Sequence, residues 1–121
     1  MKQLTKAQED LMHYVWQLGD CSVGDLRTAI AVAEGAQPAH STVSTLVLAL
    51  RDRGFIEGRK EGRSVIYTPT ISREAYGQQS LGQLIRSFFG GSPELAVSHL
   101  VREENLSLEE LNKLVRQLEE E

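Results

Sequence analysis

The chain has 121 residues, 40% hydrophobic and 25% charged, with a net charge of −4, which suits one small domain or a small domain with an appendage. A single cysteine, Cys21, excludes an intrachain disulfide and fits a reducing compartment. There is no signal-peptide pattern at the start and no apolar run near the ~20 residues that span a bilayer, so the expectation is a cytoplasmic protein with no membrane insertion.

Thr5 with Gln8 makes a capping box, predicting a first helix over about 5–18 with Ala7, Leu11, Val15 and Leu18 on its inner face. Met12 and Trp16 widen that face, and Gly19 stops the helix. Ser22 caps a second helix, roughly 23–34, which turns Val23, Leu26, Ile30 and Ala33 inward. A turn built on Gly35 and Pro38 leads to a third helix starting at Ala39 or His40. Its buried stripe, Val43, Leu46, Val47 and Leu50, follows the i, i+3, i+4, i+7 pattern, and Gly54 ends it. Strands over 55–60 and 63–68 then flank a two-residue loop, Glu61-Gly62, whose glycine supplies the positive φ such a loop needs. Val65 and Tyr67 fall on one face of the second strand, Ile66 and Thr68 on the other, and Pro69 closes it. Three helices and a hairpin form one unit over residues 1–69.

Beyond Pro69 the pattern is helical alone. Ser72 caps a helix to about Phe89, with Leu81, Leu84, Ile85 and Phe88 in register, and Gly90-Gly91 breaks it. Ser92-Pro93-Glu94 opens the next helix, with proline at the first helical position. Ser107 and Glu110 box a last one bearing Leu111, Leu114, Val115 and Leu118, before a frayed acidic end at 119–121. The region 70–121 is too short to bury these leucine-rich faces well by itself. They either pack back on the first unit or meet the same faces of a second chain. A homodimer is favoured, because it would present two copies of the third helix to two half-sites. Phe88 and Phe89 beside Leu84 are the candidate anchors, with Ile85, Leu100, Leu111 and Leu114 completing the candidate interface.

The leading face of the third helix carries His40, Ser41, Thr42, Ser44 and Thr45. Short hydroxyls can bond base edges or phosphates, and a threonine methyl can pack on a thymine methyl. Ser41 or Thr42 could instead simply cap the helix, but four hydroxyl residues in five positions exceed what a cap requires. Lys60 and Arg63 flank the hairpin tip, within reach of phosphates or the minor groove. Arg51 and Arg53, in the last turn of the helix, are assigned to compensation of its dipole. A slim polar helix beside a basic hairpin is the winged form of the helix-turn-helix, so the fold expected is mainly α with a small β-hairpin wing.

The overall acidity argues against nucleic acid, but its distribution does not. Residues 1–69 balance eight Lys/Arg against eight Asp/Glu, whereas 70–121 hold five against nine. Within 40–69 the balance is +2, and screening over roughly 8–10 Å makes that local charge the relevant one. Double-stranded DNA is the expected partner. The alternative is a winged protein-interaction module that does not bind DNA.

An enzyme is not indicated. His13, His40 and His99 lie far apart with no Cys or carboxylate at ligand spacing, so no metal or other cofactor is expected. His40 and Ser41 are neighbours on a helix and diverge by about 100°, which precludes a catalytic dyad. The glycines fit turns and make no phosphate-cradling loop.

The order of several segments resembles the penicillinase-repressor (BlaI/MecI-type) family along nearly the whole chain. They are L-T-K-A-Q at 4–8 with Leu11, Met12 and Trp16, S-T-V-S-T-L at 41–46, R-D-R-G-F at 51–55 and E-G-R-S-V-I-Y-T-P at 61–69. S-R-E-A-Y at 72–76, F-G-G-S at 89–92 and E-E-N-L-S-L-E-E-L at 103–111 continue the series. The resemblance implies a homodimeric winged-helix repressor of operators with dyad symmetry. It implies base or backbone contacts by Ser41, Thr42 and Thr45, a wing contact by Arg63, and a helical dimer interface after Pro69. It also brings in a membrane sensor pathway as a partner. Antibiotic-responsive members are inactivated by cleavage at an Asn-Phe bond, whose place His99-Leu100 takes here, and the cysteine cluster of copper-responsive relatives is missing. His40 stands where members often have an aromatic residue. Leu48 and Ala49 stand where they often have polar or basic ones, so the operator sequence need not match.

Overall fold

A computed structural model describes residues 3–103 and 106–119, with side chains to 117 in the last helix. The elements run α1 (Lys6–Leu18), α2 (Val23–Glu34), α3 (His40–Asp52), β1 (Ile56–Glu61), β2 (Ser64–Pro69), α4 (Arg73–Phe88), α5 (Pro93–Glu103) and α6 (Leu108–Glu119). They divide into two compact units, Met1–Gln78 and Gln79–Glu121.

Local chemistry sets the helix ends of the first unit. Thr5 and Gln8 form the full capping box of α1. Ser22 and Asp25 form a second box on α2, reciprocal in the same way although the fourth residue is aspartate. The end of α3 is a Schellman motif. Gly54 takes φ +82°, its N–H donates to the Arg51 carbonyl at 3.0 Å, and the Phe55 N–H donates to that of Leu50, also at 3.0 Å. Leu50 and Phe55, the apolar pair that usually accompanies this motif, are both fully buried.

The strands pair antiparallel, with Ile56 opposite Pro69 and Glu61 opposite Ser64. The hairpin loop is therefore Gly62-Arg63, one residue later than Glu61-Gly62, and Arg63 sits in the turn itself. Gly62 still supplies the positive φ, at +62°. Gly58 lies opposite Tyr67, and a Cβ there would come within 2.9 Å of the tyrosine ring. The missing side chain is what lets that ring lie across β1. On β2, Tyr67 is buried while Val65, on the same face nearer the tip, is exposed. A bridge between Cys21 and Tyr67, through bonds of 3.0 and 2.7 Å, adds a third short rung to the hairpin.

The core joins Leu11, Met12 and Val15 of α1, Leu26 of α2, Val43, Val47 and Leu50 of α3, and Phe55, Ile56 and Tyr67 of the wing. Leu46, Val23 and Ile30 pack against its edge, half-buried. Ala7, Leu18 and Ala33, expected inside, are exposed. Each stands in the first or last turn of its helix, past the two turns that the core covers. Leu4, Cys21 and Tyr76, from outside the predicted stripes, are buried instead.

Tyr76 explains why the first unit extends into α4. Its ring lies 5.8 Å from those of both Trp16 and Phe55. Its hydroxyl accepts the Leu4 N–H at 3.1 Å and donates to Gln3 Oε1 at 3.2 Å. Trp16 Nε1 donates to the Ile71 carbonyl at 2.8 Å, closing the same corner.

In the second unit, α4 ends at Gly90 and Gly91, both at positive φ. Pro93 takes the first position of α5, and the Ser92 hydroxyl accepts the Leu95 N–H at 3.3 Å. Ser107 caps α6 by accepting the Glu110 N–H at 3.1 Å. None of the described side chains from 79 to 117 is buried. The Leu118 side chain and the acidic end at 120–121 lie outside the described residues, as do residues 104–105 of the motif at 103–111.

Candidate nucleic-acid interface

Position and exposure of α3 follow from its apolar stripe. Val43, Val47 and Leu50 anchor one side in the core, which leaves the opposite side at the surface. The turn before it is tied to α2, because Arg27 Nε donates to the Pro38 carbonyl at 3.0 Å. α2 and α3 are thus fixed as the helix-turn-helix pair.

His40, Ser41, Thr42 and Thr45 are exposed and Ser44 is half-buried. The capping alternative fails. Residue Ala39 is the N-cap and makes no side-chain cap bond, so neither Ser41 nor Thr42 serves as one. Thr45 differs from its neighbours, since its hydroxyl donates back to the Ser41 carbonyl at 2.8 Å. Such i−4 bonding occupies the donor and leaves the oxygen lone pairs and the methyl at the surface.

Of the two arginines at the other end of α3, Arg51 pairs with its neighbour Asp52 at 3.0 Å. Arg53 is the C-cap residue and acts as a strut more than as a dipole partner. Its guanidinium donates to Gln8 Oε1 at 2.7 Å and the Gln3 carbonyl at 2.6 Å, and lies 5.7 Å from the Phe55 ring centroid. Gln8 therefore serves both the cap of α1 and the end of α3.

On the wing itself three cations, Arg59, Lys60 and Arg63, stand against Glu57 and Glu61, and they are not equally free. Arg59 donates to Asp20 at 3.0 Å, to Glu61 at 3.1 Å and to the Thr68 hydroxyl at 3.0 Å. The Thr68 hydroxyl in turn donates to Asp20 at 2.8 Å. These bonds hold the Asp20 carboxyl below its ordinary range, the Thr68 hydroxyl first and the Arg59 guanidinium next. Lys60 and Arg63 are exposed and make no ion pair among the described residues. Sequence reasoning missed the Asp20 cluster. Asp20 follows a helix-stopping glycine and looks like any turn residue, and nothing local links it to strands nearly forty positions later.

The candidate pairing residues lie in the second unit. Phe88 is 77% exposed, and Leu84, Leu100 and Leu114 are also exposed. Ile85, Phe89 and Leu111 are half-buried, Phe89 with its ring 6.0 Å from that of His99. Among the described residues no group of His, Cys, Asp or Glu is arranged to hold a metal ion. Nor is any helix long and apolar enough to cross a membrane.

The chain matches the family model described as "Penicillinase repressor" over residues 4–120. It is 26% identical to the penicillinase repressor of Bacillus licheniformis over 118 residues, 98% of this chain and 91% of that one. It is 21% identical to the methicillin resistance regulatory protein MecI of Staphylococcus aureus over 112 residues, 93% and 89% of the two chains. Two solution structures share the fold at 24% identity. One is the DNA-binding domain of the repressor BlaI, with a TM-score of 0.52 over 61% of this chain and 88% of that one. The other is monomeric Bacillus licheniformis BlaI in complex with the blaP half-operator, with a TM-score of 0.50 over 62% and 89%.

Proposed function

We propose, since this chain belongs to the penicillinase repressor family, that it is a DNA-binding transcriptional repressor acting in the cytoplasm as a homodimer on a dyad-symmetric operator. The observation that carries this reading is the surface of α3. Its hydroxyl residues are not used as caps, and among the described residues no carboxylate pairs with the wing cations Lys60 and Arg63. His40, Ser41, Thr42, Ser44 and Thr45 would enter the major groove, where phosphate contacts set register and base-edge contacts set sequence. Lys60 and Arg63 would hold the flanking backbone.

The second unit would join the two subunits. Leu84, Phe88, Leu100 and Leu114 are exposed and Ile85, Phe89 and Leu111 half-buried, and a symmetric pair would cover these apolar side chains. The acidity of that half would keep non-specific attraction to DNA weak.

Electrophoretic retardation of the chain's own upstream DNA at a series of salt concentrations tests the reading. A retarded complex whose affinity falls as salt rises is expected. Failure to retard any fragment at low salt, or an affinity indifferent to salt, overturns it.

A further inference from the structure

The surface of α3 holds one residue that the hydroxyl pattern does not explain. Ser41, Ser44, Thr45 and Leu48 recur at i, i+3, i+4 and i+7, so they share one face of the helix. Leu48 is 38% exposed and is not among the apolar side chains packed against the core. Its neighbours in sequence show that the core did not require it, since Val43, Val47 and Leu50 already complete the buried stripe.

Thr45, one turn earlier, changes the character of this face. Its donor is committed to the Ser41 carbonyl, so what it adds toward a ligand is chiefly a methyl group and acceptor lone pairs. The face therefore has a polar leading half, Ser41 and Ser44, and an apolar trailing half, the Thr45 methyl and the Leu48 isobutyl group. Among the groups that base pairs present in the major groove, the thymine C5-methyl is the apolar one, and cytosine lacks it.

We infer that Leu48, with the Thr45 methyl, is a specificity-determining contact for the 5-methyl group of thymine in each half-site. The inference rests on the reading of α3 as the DNA-entering helix. A cytosine or uracil at that position would leave the leucine against a gap or water. Loss of one buried methyl corresponds to about fourfold in affinity for each half-site.

Duplexes bound by the full chain would first be selected from a random pool. The tightest would then be rebuilt with each thymine replaced in turn by deoxyuridine, which differs only by that methyl. Wild type should lose about fourfold at one thymine per half-site. Leu48→Ala should bind the parent duplex more weakly and lose most of its sensitivity to the same replacement. Leu48→Met, which restores an apolar tip, should regain the sensitivity. Selective binding by wild type with no thymine whose methyl matters more to it than to Leu48→Ala overturns the inference while leaving DNA binding intact. Selection of no duplex at all overturns the inference and the repressor reading together.

Discussion

The Asp20 carboxylate grips both strands of the wing, accepting Arg59 Nη2 at 3.0 Å from β1 and Thr68 Oγ1 at 2.8 Å from β2. It does so from the turn just before Cys21, whose backbone pairs with Tyr67. The lean of the hairpin against the helices is therefore set by a polar clamp beside a short rung of sheet.

Replacing Asp20 with Asn and Glu61 with Gln together should release the Arg59 cation at the wing, since both carboxylates pair with it. The log–log salt dependence of DNA binding should then steepen by about one unit. An unchanged slope would mean that Arg59 is too far from phosphate to act. The clamp should also be insensitive to pH near neutrality. A lowered folded value means its stabilisation is present above the unfolded carboxylate value of 3.8 and lost only as pH falls below it.

Lys60→Ala and Thr45→Ala should separate two kinds of contact. Loss of a phosphate-binding cation should weaken operator and random DNA alike and lower the salt slope by about one. Loss of the Thr45 methyl should cost about 1 kcal/mol on the operator only. Titrations of both variants on both DNAs check this.

Tyr76→Phe keeps the ring between Trp16 and Phe55 but strands the Leu4 N–H, which donates to the tyrosine oxygen at 3.1 Å in a buried setting. A destabilisation of about 1–3 kcal/mol is expected in urea unfolding. A neutral result would show that this N–H finds water.

Cys21 is fully buried, and burial, with Asp25 and Asp20 nearby, pushes its thiol up to about 11. Alkylation at mildly alkaline pH should therefore await unfolding, at a rate that tracks stability. The sign for stability is the reverse of that for Asp20. The unfolded chain loses this proton first, so the contribution holds below 9.0 and fades as pH climbs toward 11.

How far the sequence was legible depended on how local the information was. Thr5, Ser22, Gly54 and Ser107 mark helix ends through neighbours within four positions, and the helices lie where those residues put them. The α3 stripe and the wing strands were legible for the same reason. Positions set by distant partners were not. Tyr76 is buried because Leu4 and Trp16 meet it, and Arg53 binds Gln3 and Gln8 across 50 and 45 positions. The hairpin register moved by one residue because a glycine can occupy either place in a two-residue loop, and only the pairing of Glu61 with Ser64 decides. On the candidate site, the exposure of Lys60 and Arg63 at the wing tip was legible. The clamp of Arg59 onto Asp20 was not, since Asp20 is remote in sequence, although its other partner, Glu61, stands two residues away.

Phe88→Asp places a charge where a 77% exposed aromatic stands on α4. If that ring anchors a pair, light scattering should report half the mass, and operator affinity should fall far more than half-site affinity. A variant that stays paired would move the interface to other residues of α5 or α6.

That none of the described side chains of the second unit is buried has a quantitative consequence. If a second copy covers so open a segment, mass action fixes the fraction that is complete. With two copies as the cover, complex abundance at low dose follows the square of chain abundance, so each twofold dilution would thin it about fourfold. Growth without new synthesis would then clear an operator abruptly, and no cut in the backbone would be needed to do it.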